Sequence, residues 1–125
     1  MPALITSRAN PKIKQARALR QRKEREATGL FLVEGITHVA AALEAGAALV
    51  DYLCYAPDLL VSPFAKDLIA QAAARNIPCY SVATDVFESL PEKDNPTGLL
   101  AIAHQPTYNL QSLVSSHQSW HSQRL

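Results

Sequence analysis

Short apolar runs alternate with helical patterns through most of this chain. Four runs have the length and composition of buried strands, and they cover 30–33, 49–55, 77–82 and 98–103. The segments between them have helical spacing and begin or end at signals such as Gly46 and Ser62-Pro63. This alternation favours a sheet covered by helices on both faces. We therefore predict a three-layer α/β/α sandwich with a small central sheet of about four strands, preceded by a basic N-terminal helix.

Basic residues are concentrated at the N-terminus. Residues 1–26 contain eight Lys or Arg and two Glu, whereas the rest of the chain contains four basic and nine acidic residues. Asn10 followed by Pro11 is a helix-start signal, so one continuous helix is expected from Lys12 to about Ala27. Its apolar stripe is thin, and we expect it to pack only loosely on the body, or to become firmly packed only when a polyanion neutralises it. Such charge asymmetry indicates a polyanion partner.

The 125 residues match the usual size of one domain. We divide them into a basic helical arm at 1–28, an α/β domain at 29–105 and a polar linker at 106–125. No apolar run approaches the roughly 18 residues of a membrane span, and the N-terminus lacks a secretory signal. Cys54 and Cys79 lie in apolar runs and are expected to be reduced. These features predict a cytoplasmic protein with no membrane partner.

Candidate catalytic and metal sites are weak. His117 and His121 have a spacing that can bind a metal on a helix, but no Cys, Asp or Glu lies near them. The glycines are scattered singly, so no phosphate-binding loop is present, and the serines lack a nucleophile elbow. Glu34 ends a buried strand and is better explained as a structural acceptor than as a catalytic group. We predict no catalytic residue, metal site or cofactor site in this chain.

The N-terminal cations are the strongest functional signal. Lys and Arg bind phosphates, and Arg17, Arg20 and Arg25 could each do so through two hydrogen bonds. No aromatic residue accompanies them for stacking on bases, so recognition there rests on backbone shape and charge. The alternative interpretation is a solvated, charged helix.

Three motifs, in the same order and separation, resemble the N-terminal part of SpoU-type (TrmH-like) RNA 2′-O-ribose methyltransferases. The family's opening is similar to ITSRANPKIK at 5–14, to Arg25, and to GLFLVEG at 29–35. The strand that ends its substrate-binding domain is similar to NPTGLLAI at 95–102.

The resemblance implies an α/β/α substrate-binding domain like that of certain RNA-binding ribosomal proteins. This domain presents structured rRNA or tRNA to a C-terminal SPOUT domain, which binds S-adenosylmethionine and methylates a ribose 2′-hydroxyl. The motifs of the SPOUT domain have no counterpart here, so we expect the chain to be inactive alone. We favour a fragment that is monomeric by itself, from a full-length protein that is a homodimer.

The resemblance also distributes roles among residues. It implies mainly scaffold roles for Phe31, Glu34, Gly35, Pro96 and Gly98. It places Asn10, Lys12, Lys14 and Arg25 on the RNA-facing surface. Combined with the charge pattern, the candidate RNA-binding residues are Arg8, Asn10, Lys12, Lys14, Arg17, Arg20 and Arg25.

Two other function classes remain open. One is a free-standing RNA-binding protein of the ribosomal-protein type, ending at or near Leu125. The other is a protein-interaction module whose basic arm contacts an acidic protein surface. Binding by such a module should be indifferent to RNA competitors, which separates it from the first two. A small-molecule enzyme is disfavoured, because no convergent set of polar residues can be named.

Overall fold

The structure, a computed structural model, describes residues 4–91 and 98–105. The helices in these ranges are α1 Pro11–Ala18, α2 Arg22–Thr28, α3 Ile36–Ala45, α4 Pro63–Ala74 and α5 Thr84–Phe87. The strands are β1 Leu30–Glu34, β2 Val50–Tyr55, β3 Cys79–Ser81 and β4 Leu99–His104. A 3₁₀ turn, Ala47–Leu49, precedes β2.

The four strands form one mixed sheet in the order β1-β4-β2-β3. β4 lies between β1 and β2 and is antiparallel to both, and β2 is parallel to β3. The strands β1, β2 and β3 therefore end at the same end of the sheet, where β4 begins. Beyond β3, Ile5 forms a parallel bridge with Val82 and extends the sheet by one contact.

β4 shows how the sheet separates two cores. Leu100 and Ile102 pack in a buried cluster with residues of α1 and α5. Leu99, Ala101 and Ala103 pack in a second cluster with residues of α3 and α4. A strand covered on both faces has no polar face, which explains its uninterrupted apolar run. The predicted three-layer α/β/α sandwich with four strands is confirmed.

The prediction of one continuous, loosely packed basic helix is wrong. α1 ends at Ala18, the chain turns through 19–21, and α2 begins at Arg22. The thin apolar stripe of the basic segment, Ile13, Ala16 and Leu19, is fully buried against the sheet. α1 is therefore part of one outer layer of the sandwich rather than an appendage to it.

Helix starts agree with the sequence where a side chain caps the backbone. The Asn10 Oδ1 atom accepts a hydrogen bond from the Lys12 amide at 2.9 Å, and Pro11 takes the first helical position. The short helix α5 begins at Thr84, and Ala83 occupies its N-cap position without a side-chain cap. The Ala83 amide donates to the Ile5 carbonyl, so pairing with the N-terminal segment sets where α5 begins.

Gly98 is required both by its backbone conformation and by its neighbours. Its φ is +75°, and an added Cβ would lie 2.8 Å from Leu59 Cβ and 3.3 Å from the Ala56 carbonyl oxygen. Gly29 has a similar φ of +72° but nothing within 4 Å of such a Cβ. The two glycines are therefore a matched pair for separating backbone strain from overpacking.

We expect Gly29→Ala to cost about 1–2 kcal/mol from backbone strain alone. Gly98→Ala should cost about 1–3 kcal/mol more, because Leu59 must move to admit the methyl group. Urea unfolding of both variants measures the difference. Equal losses of unfolding free energy would show that the contact of Gly98 with Leu59 is not tight.

Candidate nucleic-acid interface

Several basic side chains are exposed along the two N-terminal helices, α1 and α2. Lys14 projects from α1, Arg20 lies in the turn after it, and Lys23 belongs to the first turn of α2. Arg8 precedes α1 and is also exposed. We call these four residues the basic surface. Because the apolar side of α1 is buried in the core, the position of this helix on the body is fixed.

Two of the predicted RNA-binding residues cap α1. Asn10 covers its N-terminus, as described above. The Arg25 Nη1 atom donates to the carbonyl oxygens of Leu19 and Arg20, both at 2.9 Å. These carbonyls belong to the turn between α1 and α2, where helical partners are missing. Arg25 therefore holds the turn closed and sets the direction in which α2 leaves α1.

Lys12 and Arg17 are half-buried and have partners within the protein. The Lys12 Nζ atom lies 4.8 Å from the centroid of the Tyr52 ring. The Tyr52 hydroxyl donates to the Lys12 carbonyl oxygen at 2.9 Å, and burial raises the pKa of Tyr52, which keeps this donor protonated. Arg17 donates to the Arg8 carbonyl at 3.3 Å and to the Ser89 hydroxyl at 3.2 Å. Both side chains are thereby oriented beside the buried stripe of α1.

Carboxylates neutralise little of this positive charge. Eight basic residues lie between Arg8 and Arg25, and within the part of the chain that the structure describes only Arg22 forms an ion pair with a carboxylate. Its Nε atom lies 2.8 Å from Glu26 Oε2, and both side chains are largely exposed. The positive potential along α1 and α2 is therefore largely uncompensated, as a polyanion-binding surface requires.

A polar cleft lies between the α1–α2 turn and the edge strand β1. Its volume is about 280 Å³. We call it the edge cleft, and its lining residues are Leu19, Arg25, Phe31, Leu32, Glu34 and Gln105. Among these residues, Arg25 is a predicted RNA contact, and Phe31 and Glu34 are predicted scaffold residues. Gln105 is not among the residues predicted from the sequence to bind RNA, and neither is the exposed Lys23, although it belongs to the basic N-terminal segment.

A second hollow lies after β2 and beside α4. It has a volume of about 360 Å³ and mostly apolar walls with one cation, Lys66; the other lining residues are Tyr55, Pro57, Leu60 and Ile69. α4 packs on the opposite face of the sheet from α1. This hollow is therefore separated from the basic surface by the sheet.

The two cysteine thiols are free, and they lie in or against the cores. Cys54 and Cys79 are free and lie on neighbouring strands in different core clusters. Burial raises the pKa of Cys54 to about 12 and also raises the pKa of Cys79, so both thiols stay protonated at neutral pH. Among residues 4–91 and 98–105, no cluster of His, Cys, Asp or Glu could hold a metal ion. His117 and His121 lie outside those ranges.

None of the helices in the described ranges is long and apolar enough to cross a membrane.

Comparison with known protein families shows that residues 10–101 match the model described as the MRM3-like substrate binding domain. That match covers most of the chain. The chain belongs to this family.

The relatives of this substrate-binding domain are named as methyltransferases. It is 30% identical over 108 residues to the 23S rRNA (guanosine(2553)-2′-O)-methyltransferase RlmP of Bacillus subtilis, covering 85% of this chain and 39% of the relative. The rRNA methyltransferase of Sinorhizobium meliloti, solved with AdoMet bound, is 30% identical with a TM-score of 0.69; the match covers 87% of this chain and 39% of that one. The SpoU methyltransferase AviRb of Streptomyces viridochromogenes, in complex with AdoMet, is 28% identical with a TM-score of 0.64; the match covers 82% of this chain and 38% of that one.

These matches confirm the resemblance to SpoU-type RNA ribose methyltransferases. The substrate-binding domain spans about two fifths of the length of the relatives it matches. Neither of the two hollows described above fits S-adenosylmethionine. The edge cleft is smaller than the roughly 300–1,000 Å³ of typical small-molecule sites. The apolar hollow beside α4 has no carboxylate in its lining to bind the ribose hydroxyls or the ammonium group. No step of methyl transfer is therefore assigned to this part of the chain.

Proposed function

We propose that this domain recognises structured RNA, rRNA or tRNA, for a 2′-O-ribose methyltransferase. The observation that carries the proposal is the uncompensated positive charge held along α1 and α2 by a helix anchored in the core. The names of the relatives support RNA as the polyanion. Cations held on a folded helix suit a substrate with a fixed backbone shape, because the helix that carries them does not have to fold when the RNA binds and less entropy is lost.

The contacts divide the predicted residues by role. Arg8, Lys14 and Arg20 bind phosphates directly, and Lys23 joins them. Lys12 and Arg17 lie at the edge of the same region and contribute charge from fixed positions. Asn10 and Arg25 act chiefly through the shape of α1 and the turn that follows it.

Methyl transfer itself belongs to a C-terminal SPOUT domain of the same protein in this proposal. S-adenosylmethionine supplies the methyl group there, as the AdoMet complexes of two relatives support. The domain described here acts in the cytoplasm, is monomeric by itself, and is inactive without its catalytic partner. Dimerisation belongs to the SPOUT part of the full-length protein.

RNA binding across a salt titration tests the proposal. Four to six phosphate contacts give a slope of about −3 to −5 when the logarithm of the affinity is plotted against the logarithm of the salt concentration. We expect that slope with structured rRNA fragments or with tRNA, and a preference for one of them. Absence of binding to both at low salt, or binding to an acidic protein that RNA does not compete away, would contradict the proposal.

A further inference from the structure

Phosphate contacts alone do not distinguish one RNA from another. Cations on the basic surface bind a backbone that is the same at every nucleotide. Proteins that select an RNA sequence do so mostly at unpaired bases, which they contact with aromatic or planar side chains and hydrogen-bond at the base edges. A domain that recognises one substrate therefore needs a base-sized site next to its phosphate-binding surface.

The edge cleft has the composition of such a site. Three polar side chains from different parts of the fold line it: Arg25 of α2, Glu34 at the end of β1, and Gln105 after β4. Guanidinium groups donate hydrogen bonds, carboxylates accept them, and an amide does both. Leu32, with the largely buried Leu19, supplies apolar wall, whereas Phe31 packs against the cluster on the other face of the sheet. Donors and acceptors beside a planar guanidinium and an apolar side chain match the edge and the face of a nucleobase.

The Arg25 side chain and the backbone of Gln105 are held in place by the fold. Arg25 is anchored through Nη1 to two carbonyl oxygens, and no other nitrogen of its guanidinium makes a hydrogen bond within the described residues. The backbone amide of Gln105 donates to the Gly29 carbonyl oxygen at 2.7 Å, which fixes the backbone that carries the exposed Gln105 side chain. Anchoring of this kind lowers the entropy lost when a ligand is bound.

The edge cleft also adjoins the basic surface. Leu19 and Arg25 line the cleft, and the exposed Arg20 follows Leu19 in the turn that Arg25 caps. An RNA strand with a phosphate bound to Arg20 would therefore lie close to the cleft. The hollow beside α4 lacks this connection.

We propose that the edge cleft binds one unpaired nucleobase of the RNA, with Arg25 and Gln105 donating to its edge and Leu32 forming an apolar wall. The inference rests on the proposed function, because it needs RNA on the basic surface. It adds the recognition of an individual base to a surface that otherwise reads only charge and shape.

Gln105→Ala tests this inference without disturbing the core, since the side chain is exposed. The probes are stem–loop RNAs with one bulged nucleotide, which is A, C, G or U, and a fully paired stem of the same length. The wild-type chain should discriminate about tenfold among the bulged bases, within the range of one good base contact. Gln105→Ala should lose most of that discrimination while its affinity for the paired stem and its salt dependence stay unchanged.

Two further variants complete the experiment. Gln71→Ala removes an exposed glutamine of α4 and should behave as wild type. Phe31→Leu changes a half-buried side chain that packs against the cluster on the other face of the sheet, and it should also leave the discrimination unchanged. Unchanged discrimination in Gln105→Ala, or equal weakening for bulged and paired RNA, overturns the inference and leaves the proposed function intact. Failure of the wild-type chain to bind any of the RNAs overturns both.

Discussion

Replacing Ile13 by alanine is expected to lower the free energy of unfolding by about 2–5 kcal/mol. Ile13 lies on the basic helix α1 and is fully buried in the cluster that also contains Tyr52 and Phe87. The substitution loses the burial of the removed methyl groups and leaves a cavity between α1 and the sheet. Since domains have only about 5–15 kcal/mol of stability, urea unfolding followed by circular dichroism should show a large shift.

Lys14→Ala is the matched control for that prediction. Lys14 is the next residue on the same helix but is exposed, so its loss should change stability by no more than about 0.5 kcal/mol. A mild effect of Ile13→Ala, comparable to that of Lys14→Ala, would mean that α1 is not part of the folded core. In that case the cations would sit on a detachable arm, and the basic surface would not be preformed.

The parts of the fold that depend on local chemistry could be predicted from the sequence. Asn10 and Pro11 mark the start of α1 because capping involves only neighbouring backbone groups. The apolar run at 98–103 identified β4 because a strand covered on both faces is apolar throughout. In both cases the signal lies within a few residues of the element that it predicts.

The break between α1 and α2 could not be predicted in the same way. Residues 19–21 contain good helix formers and no glycine or proline, so local propensity favours continuation. The break is made by tertiary contacts: Leu19 is buried in the core, and Arg25 satisfies the carbonyls that the turn exposes. These interactions depend on where the sheet lies relative to the helix.

The candidate site was predictable in charge but not in geometry. Counting Lys and Arg located the basic region, yet it could not separate exposed cations such as Lys14 from a capping residue such as Arg25. That separation depends on the rotation of α1 about its axis. The edge cleft was missed because Phe31, Glu34 and Gln105 are brought together only by the pairing of β1 with β4.

Removing three cations of the basic surface together should nearly abolish RNA binding. We expect the triple variant Lys14→Ala, Arg20→Ala, Lys23→Ala to bind structured RNA about a hundredfold or more weakly than wild type at about 0.1 M salt. The magnitude of its slope of log affinity against log salt concentration should fall by about 2–3, because about one counterion fewer is released for each phosphate contact that is lost. The three side chains are exposed and make no hydrogen bond or ion pair within the described residues, so the variant should fold normally.

Single substitutions on opposite faces of the sheet test whether that loss of binding is specific to the basic surface. Lys14→Ala alone should reduce the magnitude of the salt slope by about 0.9. Lys66→Ala removes another exposed lysine, from α4 on the other face, and should leave the slope unchanged. A similar reduction in both variants would mean that RNA responds to net charge rather than to this surface. Unchanged binding by the triple variant would contradict the phosphate-binding role of α1 and α2. It would also contradict the base contact in the edge cleft, because that contact requires RNA on the basic surface.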